Sequence, residues 1–501
     1  MSRLPDHTVV IVGGGYTGTC AAIALVRRAT QPVQVCLVDP SPQPGRGLAY
    51  AATDPDHRLN APTFVHTVIP DQAWHFLQWC HAQGLIEQDP DCLWADGGHY
   101  MRRADFGRYL QHTLDAHRHW PATGSRISTV CDVATALSAP GEPLAVHTQG
   151  GAVLRADMVI LATGNAQPGL PAMCEPALAQ HPAVVVNPLN RDWASSLQPD
   201  ARVLVLGTGL TALDMLSTLV RRGHQGPVLA VSRRGLRPRP QAPMLPALVQ
   251  AQALPASALA GLPGTVLLDK LAQPAPAFLQ TPQVAGDVRQ WLRALRRQVA
   301  QVQAQGGVWT QPFDELRDAL WRLWPGMPAA QKQRFQARLR TWYDAHRFRS
   351  TPQNQAMVDA AVAQGRITFQ AGRVRAVKAG HASGAALSVT WVPQGQAPQH
   401  DQPFDALINC TGLDPAAGAA ANPLLASLLH QGRIRRDASG IGLEVNPQCC
   451  VVDAQGRADA RVRLFGPPTA GTWGDPLGAL YIGTHIHRLM PDVLASLGAG
   501  P

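Results

Sequence analysis

Near the start of the chain Gly13, Gly15 and Gly18 stand in G-x-G-x-x-G spacing, directly after the apolar run Val9-Val10-Ile11-Val12. Residues of these types at this spacing bind phosphate. The first glycine permits a tight turn, the second lets bare backbone approach a pyrophosphate, and the third lets helix and strand pack closely. A helix starting there presents free N–H groups and the positive end of its dipole to the anion. Asp39 ends a second apolar run, 33–38, where its carboxylate can accept hydrogen bonds from a ribose diol. The pattern returns at Gly207, Gly209 and Ala212, after Val203-Leu204-Val205-Leu206 and with Thr211 inside the loop. This copy ends its second run, 228–231, in Ser232-Arg233-Arg234 at nearly the same distance from the first glycine. Paired arginines suit a 2′-phosphate, which they grip through charge-assisted hydrogen bonds. The residues therefore point to FAD at the first loop and NADPH at the second, as an internal repeat of one nucleotide fold.

The elements around the loops follow from hydrophobic pattern. Each glycine loop is flanked by short apolar strands and followed by a helix of small and aliphatic residues, which is the βαβ unit of a parallel sheet. Two more apolar strands, 158–161 and 406–409, run into Ala162-Thr163-Gly164 and Cys410-Thr411-Gly412, where small residues permit close backbone approach. The segment 44–62 is long and rich in turn residues, as ligand-contacting loops often are. In it, Arg46 and Gly47 offer charge and bare backbone to a cofactor, and Asn60 and Pro62 a fixed turn. Short alternating runs at 126–133, 144–147 and 153–154 predict an antiparallel meander. From 236 to about 352 lies an insertion in which a Pro- and Leu-rich stretch, 236–285, gives way to helical periodicity, with Trp291, Leu295, Leu316, Leu320 and Trp324 on buried faces, and with Phe335, Leu339, Trp342 and Tyr343 sharing one. Leu464-Phe465-Gly466-Pro467 is a last strand and turn, before a helix from about 477 to 494. The fold expected is α/β, with two Rossmann-like dinucleotide-binding domains (FAD and NADPH) and a helical insertion. Its parts are 1–195 and 401–501 for FAD, and 196–400 for NAD(P)H with the insertion at about 236–352.

Composition narrows the function classes. The chain has 501 residues, of which 15% are charged, and a net charge of +9. Its arginines occur in short pairs without interleaved aromatics, which argues against nucleic acid; anionic cofactors and substrates account for the balance. No apolar run approaches the length of a membrane span and no signal peptide precedes the first strand, so a cytoplasmic enzyme is expected. The nine cysteines are scattered with no C-x-x-C pair, as in a reduced compartment. No metal site is expected, because His117/His119 and His485/His487 lack cysteine or carboxylate partners at ligand spacing.

The two glycine fingerprints with their A-T-G and C-T-G strands resemble the two-dinucleotide-binding flavoproteins, the glutathione-reductase-like superfamily. More narrowly, GRGLAYAATDPDHRLNAP, HFLQW, FGRYL, ILATGN and GTGLTALDMLSTLVRRGHQGPVLAVSRRG are similar to a bacterial family that includes FAD-dependent urate hydroxylase and aspartate N-monooxygenase. The resemblance implies FAD at Gly13, Gly15, Gly18 and Asp39, with Thr163, Gly164, Thr411 and Gly412 nearby and the turn at Gly466 returning to the flavin. It implies NAD(P)H at Gly207, Gly209, Thr211, Ala212, Arg233 and Arg234. The activity implied is that of an NADPH-using monooxygenase, which hydroxylates a nitrogen or electron-rich carbon of a small polar substrate with O2 through a C4a-hydroperoxyflavin. The stretch Gly471-Thr472-Trp473-Gly474-Asp475-Pro476 departs from the family pattern, as do Phe64 and His66. Candidate residues on the flavin side are Arg46, Asn60, Trp473 and Asp475, with no obligatory protein nucleophile or base. A disulfide reductase on this fold needs a redox cysteine pair close after the first βαβ unit, and residues 40–79 hold no cysteine. A dehydrogenase or oxidase, and a non-catalytic redox-sensing protein, are the remaining alternatives.

Overall fold

Two sheets, each built on one glycine loop, organise the computed structural model. It describes residues 7–55, 57–165, 168–189, 192–280, 286–380, 382–412, 415–475 and 477–500. In the first sheet His7–Val12 lies at the centre, parallel to Val33–Val38 on one side and Met158–Leu161 on the other. The second repeats this plan, with Val203–Leu206 between Val228–Ser232 and Ala406–Asn409. These strands read as continuous Val/Ile/Leu runs because helices cover both faces of a parallel sheet. Val9, Val10 and Ile11, like Val203 and Val205, are wholly withdrawn from solvent, each such side chain contributing about 1.5–3 kcal/mol by burial.

Each sheet has seven strands. The first is extended by Ala458–Leu464, parallel to Met158–Leu161, and by Ser125–Val130, parallel to Val33–Val38. The second draws its edge pair from distant parts of the chain: Val184–Val185 pairs with Ala406–Asn409. The expected meander is corrected at its start. Ser125–Val130 joins the first sheet, and the antiparallel sheet is Ala134–Leu137, Ala145–Thr148 and Val153–Arg155. Its alternation of apolar and polar residues is the same for a strand near a sheet edge as for a free meander, so periodicity does not separate the two.

The helical insertion runs from Pro246–Gln252 to Arg340–Arg347. It has a core of its own, in which Val288, Trp291, Leu295, Leu316, Leu320 and Trp324 pack together. The expected single face for Phe335, Leu339, Trp342 and Tyr343 is not formed. The helix Ala329–Arg338 stops at Leu339 and a new one, Arg340–Arg347, begins. Phe335, Leu339 and Tyr343 pack on the insertion core, whereas Trp342 is 47% exposed. The long terminal helix Ala479–Leu497 returns to the first fold and packs on the glycine helix Tyr16–Arg28.

Candidate cofactor and active site

Backbone crowding explains the first loop. Gly13 has φ +110°, and a Cβ there would stand 2.3 Å from the Ala162 carbonyl oxygen. A Cβ at Gly18 would stand 1.8 Å from the Gly13 carbonyl oxygen, so helix and strand meet where only glycine fits. Gly15 is the residue before the helix Tyr16–Arg28, whose start has no side-chain cap. Its first N–H groups are thus available to an anion. Asp39 takes the Gly14 N–H on Oδ2 at 2.6 Å and the Ser41 N–H on Oδ1 at 2.8 Å. The carboxylate is thereby fixed at the end of Val33–Val38, where a ribose would lie. Opposite it, the strand Met158–Leu161 delivers Thr163, whose hydroxyl is buried without a hydrogen-bond partner among the described residues. A Cβ on Gly164 (φ +67°) would meet nothing within 4 Å.

Around this loop the structure brings together several of the residues expected there and separates others. Gly47 lies against it, since a Cβ there would be 2.9 Å from Gly15 Cα. Arg46 turns to Gln111, donating from Nε and Nη2 to Oε1 at 3.2 and 3.0 Å. Asn60 accepts from Arg103 on its side chain at 3.2 Å and from Gln241 on its carbonyl at 2.6 Å. Gly466 (φ +83°) faces Thr17 of the glycine helix, so the terminal turn does return to the first loop. Beyond it Trp473 meets His485 edge-on at 4.6 Å. Burial without a compensating partner lowers that imidazole's pKa to about 3. Asp475 is buried and accepts from Arg347 Nε at 2.6 Å. Pro476 lies outside the described residues. A cavity of about 50 Å³ sits here, between Trp291, Trp324, Phe335 and Tyr343 of the insertion and Gly474 and Asp475 of the turn. That is room for water or a small group rather than a whole substrate.

The second loop copies the first in backbone and departs from it in charge. Gly207 has φ +108°, with the Cys410 carbonyl oxygen 2.2 Å from where a Cβ would be. Gly209 precedes the helix Leu210–Arg221, again without a side-chain cap, and a Cβ there would meet nothing within 4 Å. Thr211 lies in the first turn and Ala212 is buried against the sheet. Arg233 and Arg234 are exposed at the end of Val228–Ser232. Thr411 and Gly412 follow the strand Ala406–Asn409 beside Gly207, so their immediate neighbour is the second loop rather than Gly13. Cys410 is buried, and burial raises its thiol pKa far above the ordinary value, as expected for an inert residue.

Sequence reasoning missed the contacts that fix one fold against the other. Arg103 reaches Asp214 on the second glycine helix at 2.7 Å, with side chains 14% and 5% exposed. Asn354 donates to the other oxygen of Asp214 at 3.2 Å. Asp54 accepts from Thr218 at 2.7 Å and from Arg221 at 2.9 Å. No local pattern marks these residues, because their partners are distant in sequence. Asp437 was missed as well: it accepts the Ser439 and Gly442 N–H groups and presses on Gly471, where a Cβ would be 2.0 Å from its carboxyl carbon.

Residues 10–166 match a protein-family model described as FAD-NAD(P)-binding. No curated protein matches the chain. Among solved structures, the chain is similar to ornithine N-hydroxylase from Kutzneria sp. 744, with reduced FAD, NADP+ and L-ornithine bound. The identity is 15%, coverage 99% of both chains, and the TM-score 0.60. L-lysine 6-monooxygenase from Pseudomonas syringae is similar at 18% identity over 98% of this chain and 100% of that one, TM-score 0.61. The FAD-bound cadaverine monooxygenase of desferrioxamine biosynthesis from Erwinia amylovora follows at 13% identity, 98% and 95% coverage, TM-score 0.61. These are likenesses of fold, and they span the chain from end to end. The chain therefore shares the α/β fold of these flavin monooxygenases.

The first cleft also fits FAD on its own chemistry. Its glycines exclude side chains, its helix start is uncapped, Thr163 leaves a buried hydroxyl to be satisfied, and Gly164 borders open space. No helix among the described residues is long and apolar enough to cross a membrane.

Proposed function

We propose that the protein is a FAD-dependent, NADPH-using monooxygenase that hydroxylates a nitrogen or electron-rich carbon of a small polar substrate. The observation that carries this reading is the pairing, in one chain, of two glycine clefts with opposite acceptors, Asp39 at one and Arg233 with Arg234 at the other. FAD, held by Gly13, Gly15, Gly18, Asp39, Thr163 and Gly164, supplies acceptance of hydride from NADPH and activation of O2 for transfer of one oxygen atom. NADPH lies on Gly207, Gly209, Thr211 and Ala212, with Arg233 and Arg234 on its 2′-phosphate and Thr411 and Gly412 beside it. Gly466 and the turn that follows close on the flavin side. The chain positions both cofactors and shields their meeting point from water; Arg103, Asp214 and Asn354 hold the two folds at a fixed separation.

In this reading the two ends of the chain form the FAD part and the middle the NADPH part. The boundaries expected at 195 and 401 shift, because Val184–Val185 and Ala406–Asn409 both lie in the second sheet, and 236–352 is the wall between substrate and solvent. Arg46, Asn60, Trp473 and Asp475 act through contacts that shape the flavin side rather than through proton transfer. The resemblance to urate hydroxylase and aspartate N-monooxygenase does not carry their substrates over, because residues 471–476, Phe64 and His66 depart from that pattern. The amines after which the similar structures are named, ornithine, lysine and cadaverine, favour primary amines. A cytoplasmic, reducing location suits nine free cysteines.

The reaction consumes one NADPH and one O2, delivers one oxygen atom to the substrate and releases the other as water. The test is oxygen uptake and NADPH oxidation by the FAD-loaded protein with aspartate, ornithine, lysine, cadaverine and urate, together with product mass. A substrate that gains one oxygen atom per NADPH supports the reading. NADPH oxidation that yields only hydrogen peroxide with every compound, or none at all, counts against it.

A further inference from the structure

Most large aromatics of the helical insertion are withdrawn from solvent. Trp291 and Trp324 lie in its core, and Phe335 and Tyr343 pack on it. Trp342 stands apart, 47% exposed, because the helix breaks at Leu339 and restarts with a different face outward. Its position is specific. The Arg234 guanidinium lies 5.7 Å from the indole centroid, and Arg234 Nη1 donates to the Arg338 carbonyl at 3.4 Å. Arg233, Arg234 and Arg338 are all exposed, and none is ion-paired among the described residues. Their neighbours Arg237 and Arg340 are paired, with Asp359 and Asp344.

The Trp342 indole and the Arg234 guanidinium thus meet at the end of Val228–Ser232, the strand that follows the second glycine loop, with Arg233 next in the chain and the Arg338 backbone in contact with Arg234. In a βαβ nucleotide fold this strand end faces the adenosine ribose. A purine offers a π-face to an aromatic ring, and a 2′-phosphate offers oxygens to arginines. We propose that the helical insertion completes the adenosine site of the second cleft, Trp342 stacking on the purine and Arg338 joining Arg233 and Arg234 around the 2′-phosphate. This rests on the NADPH reading above and deepens it: the insertion is a coenzyme-specificity element as well as a wall.

The two roles separate by ligand. Adenosine 2′,5′-bisphosphate carries both recognition groups, and adenosine 5′-monophosphate carries the purine alone. Calorimetric titration of the FAD-loaded protein with each probe needs no turnover. The unmodified protein is expected to bind the bisphosphate more tightly. Trp342→Ala weakens both probes roughly tenfold, and Trp342→Phe restores most of the loss. Arg338→Ala weakens the bisphosphate alone. Unchanged affinity in Trp342→Ala or in Arg338→Ala overturns that residue's role, while a retained preference for the bisphosphate keeps the NADPH reading intact. Equal binding of the two probes by the unmodified protein removes the NADPH reading itself.

Discussion

The two clefts share a backbone and differ in their surroundings. At the first, Asp39 is fixed by two N–H groups, Gly47 closes over Gly15, and the terminal turn and helix come back from the far end of the chain to lie on the glycine helix. At the second, the acceptor end is open and its arginines are exposed. A cofactor that stays bound through many turnovers suits an enclosed, pre-shaped site. A coenzyme that enters and leaves each cycle suits an open one with charge at its rim. The difference in enclosure thus runs parallel to the difference in charge.

Substitutions at the clefts and between them put this difference to the test. The largest effect is expected at the shared interface. Arg103→Ala leaves Asp214 buried without its cation, costing about 3–5 kcal/mol, so the chemical-denaturation midpoint falls well below that of the unmodified protein. The glycines come next. Gly18→Val forces a side chain into the Gly13 carbonyl and is expected to cost roughly 3 kcal/mol and to abolish the yellow colour of the purified protein. Gly207→Val leaves the colour and abolishes NADPH binding. Were both variants to lose both cofactors alike, the clefts would not be separable.

A smaller, directional effect distinguishes the charged ends. Replacing Arg233 and Arg234 together by Ala is expected to cut the preference for NADPH over NADH by about 10- to 100-fold, as read from kcat/KM ratios, with NADH values nearly unchanged. The smallest concerns pH. Burial lowers the pKa of His66 and His75 to about 4 and of His485 to about 3, all three packed in the first fold. The unfolded chain takes up these protons near the ordinary value of about 6.5 and the folded chain does not, so stability is full above that value and falls as the pH drops toward 4. Flavin release on acidification should therefore begin near pH 6 and precede loss of bisphosphate binding at the second cleft. The reverse order would place the acid-labile part in the second fold.

Much of the architecture was legible because it depends on local rules. Glycine spacing, continuous apolar strands and the residue that ends each second strand revealed both nucleotide folds, and helical periodicity revealed the insertion. What escaped depends on contacts between distant segments. Nothing around Arg103 or Asp214 distinguishes them from surface charges until the two folds are docked. Ser125–Val130 has the same alternation in either sheet. Trp342 follows the period of its neighbours, and only the break at Leu339 turns it outward. Asp475 reads in the sequence as a pocket residue, and what the sequence does not show is its bond to Arg347, across the boundary between turn and insertion.

Anaerobic titration of the FAD-loaded protein with NADPH and with NADH, following bleaching of the flavin in a stopped-flow instrument, bears most closely on the assignment of a different dinucleotide to each cleft. One flavin per chain, bleached at least tenfold more efficiently by NADPH and with that advantage lost when Arg233 and Arg234 are replaced, is the result predicted. A purified protein that holds no flavin, or one bleached equally by both coenzymes, would contradict it.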